Sequence, residues 1–381
     1  MKIALLSSTD YRDAPLSGKN VHQFLLEKAL KQQNIDIHTY YYRWNIRQKV
    51  KILLCHPHYK FLDRPTRKLI RINDIINFFD RIGLEEYHIV HAQDVIPIYA
   101  VKHPRIILTL HGYYFREILR DYGENTLSRL VKKIEEESVK KAAHIIAVDK
   151  GRKKYLMEVY GYPEKNITVI PNAVDIDKFS PVSEEEKIFL RKKLRLPLNT
   201  FIVLIPARYS REKGLEYAIE AAKKLGKNIH FIFIGIGPLK KELINLAQDL
   251  PSVSIKGPIP HNKIDKWYKA SDIILIPSIK YEGIEEATSL SMLEGMACGK
   301  IVVCTDVGGM REVIKDGVNG ILIPQKDPEA IGNIILNVYR HYGRFKSIGL
   351  EARKYVLKYH SYLDQAKKIV EIYKKVLRGD R

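Results

Sequence analysis

Four side chains in the second half of the chain have the types and spacing to grip an elongated ligand that carries a diphosphate. In ARYSREKG (207–214), Arg208 and Lys213 follow the apolar run FIVLI (201–205) and precede an amphipathic stretch beginning at Leu215. A strand ending there and a helix starting beyond Gly214 put both cations on a loop at the mouth of a sheet. A forked guanidinium and a compact ammonium at that place can share two phosphates; the alternative is a solvated basic loop. In YEGIEEATSLSMLEGMACG (281–299), Glu286 and Glu294 are spaced E-x(7)-E, and Leu290, Leu293 and Ala297 recur at helical intervals. A helix starting near Thr288 or Ser289 leaves Glu286 ahead of it and Glu294 along it. Eight residues of helical rise come to ~12 Å, too far for two carboxylates to share one proton or one metal, and suited to opposite ends of a long ligand. Two structural readings stand beside this one: Ser291-x-x-Glu294 matches a capping box, and Glu286 could be a first-turn acid favoured by the helix dipole.

Glycines mark a third group. Gly18 precedes the apolar periodicity of Val21, Phe24, Leu25 and Ala29, and Gly308-Gly309 follow an apolar run at 301–304. Glycine lets backbone N–H groups approach a phosphate, and a helix N-terminus attracts anions; ordinary turns explain any one of these glycines equally well. Gly235-x-Gly237 lacks the third glycine of a dinucleotide fingerprint. The D-x-D string, Asp175-Ile176-Asp177, directly follows Pro171-Asn172-Ala173 and reads as a turn instead of a metal site. No cofactor and no metal are therefore expected, and cations with backbone N–H groups take the metal's place. Cys55, Cys298 and Cys304 are too scattered for a disulfide framework or a zinc site; Cys298 reads as a packing residue. His111 ends a strand-like run, where a structural and a site role are both open.

These residues need elements to hold them. Strand-like and helix-like runs alternate almost throughout, which predicts an α/β fold of parallel sheets covered on both faces. Strands are expected at Ile3–Ser7, Ile35–Tyr41, Ile89–His91, Ile106–Leu110 and Ile145–Val148. The pattern then restarts, with strands at Phe201–Ile205, Phe231–Gly235, Ile273–Ile276 and Ile301–Cys304 and helices at Leu215–Leu225 and Lys240–Leu250. The chain length of 381 residues exceeds one ordinary core. Two Rossmann-like, doubly wound domains are expected, at 1–172 and 173–361, with the ligand at the carboxyl ends of the strands in a central cleft. Residues 184–199 read as a charged helix entering the second domain.

Composition narrows the class. A formal charge of +20 divides evenly between the two halves, so it is not a tail. No recognition-helix, zinc-finger or RNA-binding aromatic pattern accompanies it, which sets nucleic acid aside as the partner. Attraction of an anionic donor, or of anionic lipid heads, explains the charge better. No apolar run reaches the ~20 residues of a membrane span. The opening strand leaves no room for a signal peptide, and the expected location is the cytoplasm, with peripheral contact at the membrane's inner face.

The order PNAVD (171–175), ARYSREKG (207–214), GIGP (235–238), E-x(7)-E with GMACG (295–299) and VGGMREVIKDGVNG (307–320) closely resembles the family 4 retaining glycosyltransferases of GT-B fold. The likeness covers nearly all of the second domain; in the first it rests on SGKN (17–20), IVHAQD (89–94) and TLHG (109–112). It implies a retaining hexosyltransferase that takes its sugar from a nucleotide-diphosphate donor. Arg208 and Lys213 would hold the diphosphate, Glu294 the ribose hydroxyls and Glu286 hydroxyls of the transferred sugar. Gly18 would approach the distal phosphate, Gly237, Gly308 and Gly309 would line the donor, and His111 would hydrogen-bond the reacting sugar. The C-terminal helix, about 362–381, would cross back to the first domain. The acceptor, a glycan or a lipid-linked anion, would meet the first domain, where YYYRW (40–44) and Lys60, Arg64, Arg67, Lys68 and Arg71 are candidates. The chain departs from the family's E-G-F-G string, so Glu282 or Glu285 could share the role of Glu286; Asp149 and Met310 replace the usual Ser and Pro. Other readings are a nucleotide-sugar epimerase or phosphorylase on the same architecture, and a non-catalytic binder of polyanions.

Overall fold

The computed structural model describes residues 1–10, 18–43, 48, 52, 54–56 and 58–379. Ser17 and Trp44, singled out above, lie outside them, as does the side chain of Lys60. Contacts divide the chain into two compact units, Met1–Pro171 with Gln365–Arg381, and Asn172–Asp364.

The first unit is built on six parallel strands, β1 (Lys2–Ser7), β2 (Asp36–Tyr41), β3 (Ile89–Ala92), β4 (Ile106–Leu110), β5 (His144–Ala147) and β6 (Ile167–Val169), in the order β2-β1-β3-β4-β5-β6. Ile3 to Leu6, Ile89 and Val90 are fully buried, as expected of a sheet with both faces covered. The helix Tyr362–Arg378 joins this unit from Gln365 onward. Its Tyr373 is fully buried there.

The second unit holds β7 (Phe201–Pro206), β8 (Ile229–Ile234), β9 (Val253–Lys256), β10 (Ile273–Ile276), β11 (Ile301–Thr305) and β12 (Ile321–Ile323), again all parallel, in the order β12-β11-β10-β7-β8-β9. Alternation along β7 sends Ile202 and Leu204 into one core with Met292 and Leu293, and Phe201, Val203 and Ile205 into the other with Leu215, Ala218 and Ile219. That two-sided burial explains why the strand reads as a continuous apolar run. β7 pairs with β8 from Phe201↔Ile229 to Pro206↔Ile234, and with β10 at Ile273↔Val203 and Ile274↔Leu204. Strand order therefore reverses between β7 and β10, and in open α/β sheets ligands bind at the carboxyl ends of the strands at such a reversal.

Several expected elements differ in extent, among them the charged helix read at 184–199, which spans Glu184–Lys193. The helix predicted to Leu250 stops at Leu246; Pro251 disfavours helical geometry only at Leu250 itself. The helix after β7 ends at Lys223.

Candidate active site

Three loops of the second unit converge at the reversal. The loop leaving β7 is anchored by Tyr209, fully buried, whose hydroxyl donates to the Lys256 carbonyl at 2.6 Å. A single turn, Arg211–Lys213, follows, and Gly214 closes it at φ +57°. A Cβ on Gly214 would stand 2.2 Å from the Pro277 carbonyl oxygen. The loops after β7 and β10 thus touch backbone to backbone, and Ile279 N donates to Glu212 O at 2.9 Å. On this support the Lys213 ammonium donates to Glu286 Oε2. Ser278 Oγ donates to the same oxygen at 3.0 Å.

The loop after β11 completes the arrangement. Gly308 adopts φ +55°, and a Cβ there would lie 1.9 Å from the Glu286 carbonyl oxygen. Gly309 N donates to that oxygen at 3.0 Å. Only glycine permits both the left-handed backbone and the approach. Gly237, after β8, is needed in a similar way: a Cβ would sit 2.2 Å from Tyr209 O. Arg208 is exposed on the β7 loop and has no ion-pair partner among the described residues. The point where strand order reverses therefore presents one unengaged guanidinium and one ammonium engaged by a carboxylate.

Glu294 lies on the helix Leu290–Ala297, and here the structure decides between the alternatives left open by the sequence. Ser289 is the N-cap, accepting from Met292 N at 3.4 Å, whereas Ser291 Oγ donates to Pro206 O at 2.9 Å. The capping-box reading of Ser291 and Glu294 is thereby overturned. Glu286 precedes the first helical residue by four positions and is not a first-turn acid. Gly295 lets the helix press on β10, since a Cβ would meet Ile274 Cγ1 at 2.7 Å. Glu294 is buried, and His261 Nε2 donates to its Oε1 at 2.8 Å. Lys178 reaches the other side of His261, hydrogen-bonding its carbonyl oxygen and lying 3.4 Å from Nδ1. Burial lowers the Lys178 pKa, against the pull of Glu294.

The sequence reading missed His261, Lys178 and Ser278. Their one signal is position: His261 opens the helix His261–Ala270, and Lys178 follows the D-x-D string. Asp175 Oδ1 accepts the backbone N–H of Lys178 at 3.1 Å, as a turn-forming aspartate does. Cys298 is buried, and its thiol is pushed up to about 12 by that burial, which suits packing and not nucleophilic attack.

Gly18 and His111 belong to the first unit and are not brought together with these groups within one unit. Gly18 is exposed as the first residue of the helix Gly18–Gln32. His111 directly follows β4. Its Nε2 lies 3.0 Å from Gln93 Oε1, and its ring meets the edge of His22 at 4.7 Å. Burial, reinforced by His22, Lys19, His91 and Arg152, holds the imidazole pKa well below its usual value. Lys19 itself pairs with Asp94 at 2.7 Å, at the corresponding reversal of the first sheet, between β1 and β3. Among the described residues no helix is long and apolar enough to cross a membrane.

Comparisons with known proteins bear on the family and the fold. The model for glycosyl transferases group 1 matches residues 186–355, and that for glycosyltransferase family 4 matches 16–178. A glycosyltransferase of Methanocaldococcus jannaschii, MJ1069, is 30% identical over 318 residues, covering 82% of this chain and 73% of the relative. A second from that organism, MJ1607, is 27% identical over 331 residues, covering 84% and 82%. Among solved structures, Anabaena HepE in complex with UDP and glucose superposes with a TM-score of 0.73 at 17% identity, over 98% of this chain and all of that one. The chain is a glycosyltransferase of family 4, with the two Rossmann-like domains of the GT-B fold.

Proposed function

We propose that this enzyme transfers a hexosyl unit from a nucleotide-diphosphate sugar, with retention at the anomeric carbon and without a divalent metal, to a glycan or lipid-linked acceptor. The observation that carries the reading is the Lys213–Glu286 ion pair at the strand-order reversal of the second sheet, with Arg208 beside it on the same loop. A solved relative in fold that holds UDP and glucose supports the choice of donor class. In this mechanism Arg208 and Lys213 stabilise the departing nucleoside diphosphate, where charge grows as the bond from the anomeric carbon to the phosphate oxygen breaks. The acceptor oxygen bonds to the same face of that carbon, and its proton passes to the leaving phosphate. Glu286 binds hydroxyls of the sugar. Glu294, oriented by His261, binds the ribose. Gly237, Gly308 and Gly309 line the donor, and Gly18 and His111 keep the roles implied by the family resemblance. The enzyme works in the cytoplasm and touches anionic lipid through its basic first-unit surface.

A thermal-shift panel of UDP-, GDP- and ADP-sugars tests the donor, since a ligand that binds the native state raises its melting temperature. One nucleotide class should stabilise the protein, and turnover with that donor should survive EDTA. No shift with any of the three would remove the donor assignment, and loss of activity in EDTA restored by manganese would remove the metal-free one. Incubation of the donor without acceptor separates transfer from epimerisation.

A further inference from the structure

A buried polar chain runs through the first unit behind His111. His91, Gln93 and Thr109 are fully buried, and so is Tyr373 on the C-terminal helix. The contacts are His111 Nε2 to Gln93 Oε1 at 3.0 Å, Gln93 Nε2 to His91 Nε2 at 3.4 Å, His91 Nε2 to Thr109 Oγ1 at 2.8 Å and His91 Nδ1 to the Tyr373 hydroxyl at 2.7 Å.

The donor and acceptor roles in this chain constrain one another. An amide oxygen can only accept, so His111 carries its hydrogen on Nε2. An amide nitrogen can only donate, so His91 Nε2 is a lone-pair nitrogen, its single lone pair shared between the Gln93 N–H at 3.4 Å and the Thr109 hydroxyl at 2.8 Å. His91 then carries its hydrogen on Nδ1 and donates to the Tyr373 oxygen. Donation runs one way, from His111 through Gln93 and His91 to the C-terminal helix. Burial pushes the His91 ring down to about 3, so the chain stays uncharged at neutral pH. Among the described residues His111 Nδ1 has no hydrogen-bond partner.

We propose that Gln93 is a positioning residue that fixes His111 as the Nε2–H tautomer, presenting Nδ1 as a hydrogen-bond acceptor for a sugar hydroxyl, with His91 and Tyr373 holding the far end. The proposal rests on His111 contacting the sugar, and it excludes a His111 that donates to the substrate. Tyr373 gives the C-terminal helix a part in this beyond packing. The neighbouring cations act in the same direction, since Lys19 and Arg152 add to burial in keeping the His111 ring neutral.

Histidine-selective ¹⁵N NMR of the whole enzyme tests the tautomer without any activity assay, with His111→Asn to assign the signal. At pH 7 the wild type should show a protonated Nε2 and an unprotonated Nδ1 on His111. Gln93→Leu should lose that preference. Gln93→Glu, which keeps an acceptor facing His111, should retain it. The ring signals of His144, in the same unit but outside this chain of contacts, report that the fold is intact. In turnover, Gln93→Leu should lower kcat by about tenfold with the donor KM unchanged, within the range expected when an interaction specific to the transition state is weakened, and Gln93→Glu should restore part of it. A wild-type Nδ1–H tautomer, an imidazolium, or a tautomer unchanged in Gln93→Leu would overturn the positioning role. Full activity in His111→Asn, with the tautomer as stated, would instead overturn the functional reading on which the proposal rests.

Discussion

Lys213 is paired with the Glu286 carboxylate, and Arg208 has no such partner among the described residues; the two cations should therefore answer differently to removal. Lys213→Ala leaves the largely buried Glu286 carboxylate with Ser278 alone, a loss on the order of 1–3 kcal/mol in stability, together with a fall in turnover of roughly 10²–10³-fold. Arg208→Ala should show a similar fall in turnover and no change in melting temperature. Adding Glu286→Gln to Lys213→Ala should return part of the lost stability, because the uncompensated charge is gone. Melting curves and kcat on the four proteins decide it, and near-normal turnover in both alanine variants would take the cations out of the site. Buried histidines give a second expectation. Burial lowers His91 to about 3 and His144 to about 4. Above pH 6.5 neither folded nor unfolded chain holds these protons. Below it only the unfolded chain takes them up, so each ring costs stability at roughly 1.4 kcal/mol per pH unit until the native ring titrates. Burial raises Glu135 and acts in the opposite sense, so the comparison to make is the slope of the urea midpoint between pH 6.5 and 5.5 in wild type and His144→Gln. The variant should have the shallower slope, and an equal one would contradict neutral burial. At this scale the sequence was legible where chemistry and spacing coincide. Arg208, Lys213, Glu286 and Glu294 stand out as charges beside apolar runs. His261 and Gln93 do not, because a partner's partner is defined by three-dimensional packing alone.

Each loop that carries a site residue is shaped by a glycine, which makes backbone conformation the property to test among the elements. Gly308→Ala combines a left-handed φ of +55° with a Cβ 1.9 Å from the Glu286 carbonyl oxygen. Gly317→Ala meets a left-handed φ of +70° but has nothing within 4 Å. The second change should cost only the ~1–2 kcal/mol of placing a side chain in that region, with turnover intact. The first should cost more than that and also weaken donor binding, because the loop bearing Glu286 must move. Calorimetry and donor titration on the pair separate strain from displacement, and equal effects on both would show that the Gly308 contact is unimportant. The strands were legible where they are long or buried, and β2, an edge strand with no buried residue, was readable over its six residues. Central strands β1, β3, β4, β7, β10 and β11 read as continuous apolar runs. The edge strands β6, β9 and β12 span three or four residues, and all of β9 is only half buried, so neither length nor alternation distinguishes them from loops. The helix Arg64–Phe79 had a readable start, with Asp63 accepting from Thr66 N at 2.7 Å and Pro65 in its first turn. Its apolar face, Ile72, Ile75 and Phe79, begins only in its second half, behind a run of basic residues that hides the helical period.

The excess charge is a property of the whole molecule, since it divides evenly along the chain, and a diphosphate donor needs only a small part of it. On the first unit the helix Arg64–Phe79 brings Arg64, Arg67, Lys68 and Arg71 along one short stretch of chain, while Ile72, Ile75 and Phe79 face inward. Phe61, 87% exposed, directly precedes that stretch. Basic residues near an anionic bilayer contribute about 1 kcal/mol each within a Debye length of the surface, and an exposed aromatic ring beside them can enter the interface. The chain should therefore sediment with vesicles containing phosphatidylglycerol and stay free of pure phosphatidylcholine vesicles. Raising the salt from ~0.1 M to ~1 M shortens the screening length from about 10 Å to about 3 Å and should release it. Arg64→Glu with Arg67→Glu should abolish the sedimentation while leaving donor-induced thermal stabilisation unchanged, because Arg208 and Lys213, proposed to hold the donor, are in the other unit. Binding that is equal on neutral vesicles, or that survives high salt, would mean that apolar insertion and not charge holds the enzyme to lipid. Absence of binding to either vesicle would return the basic surface to the acceptor, and an anionic glycan would then be the ligand for these arginines.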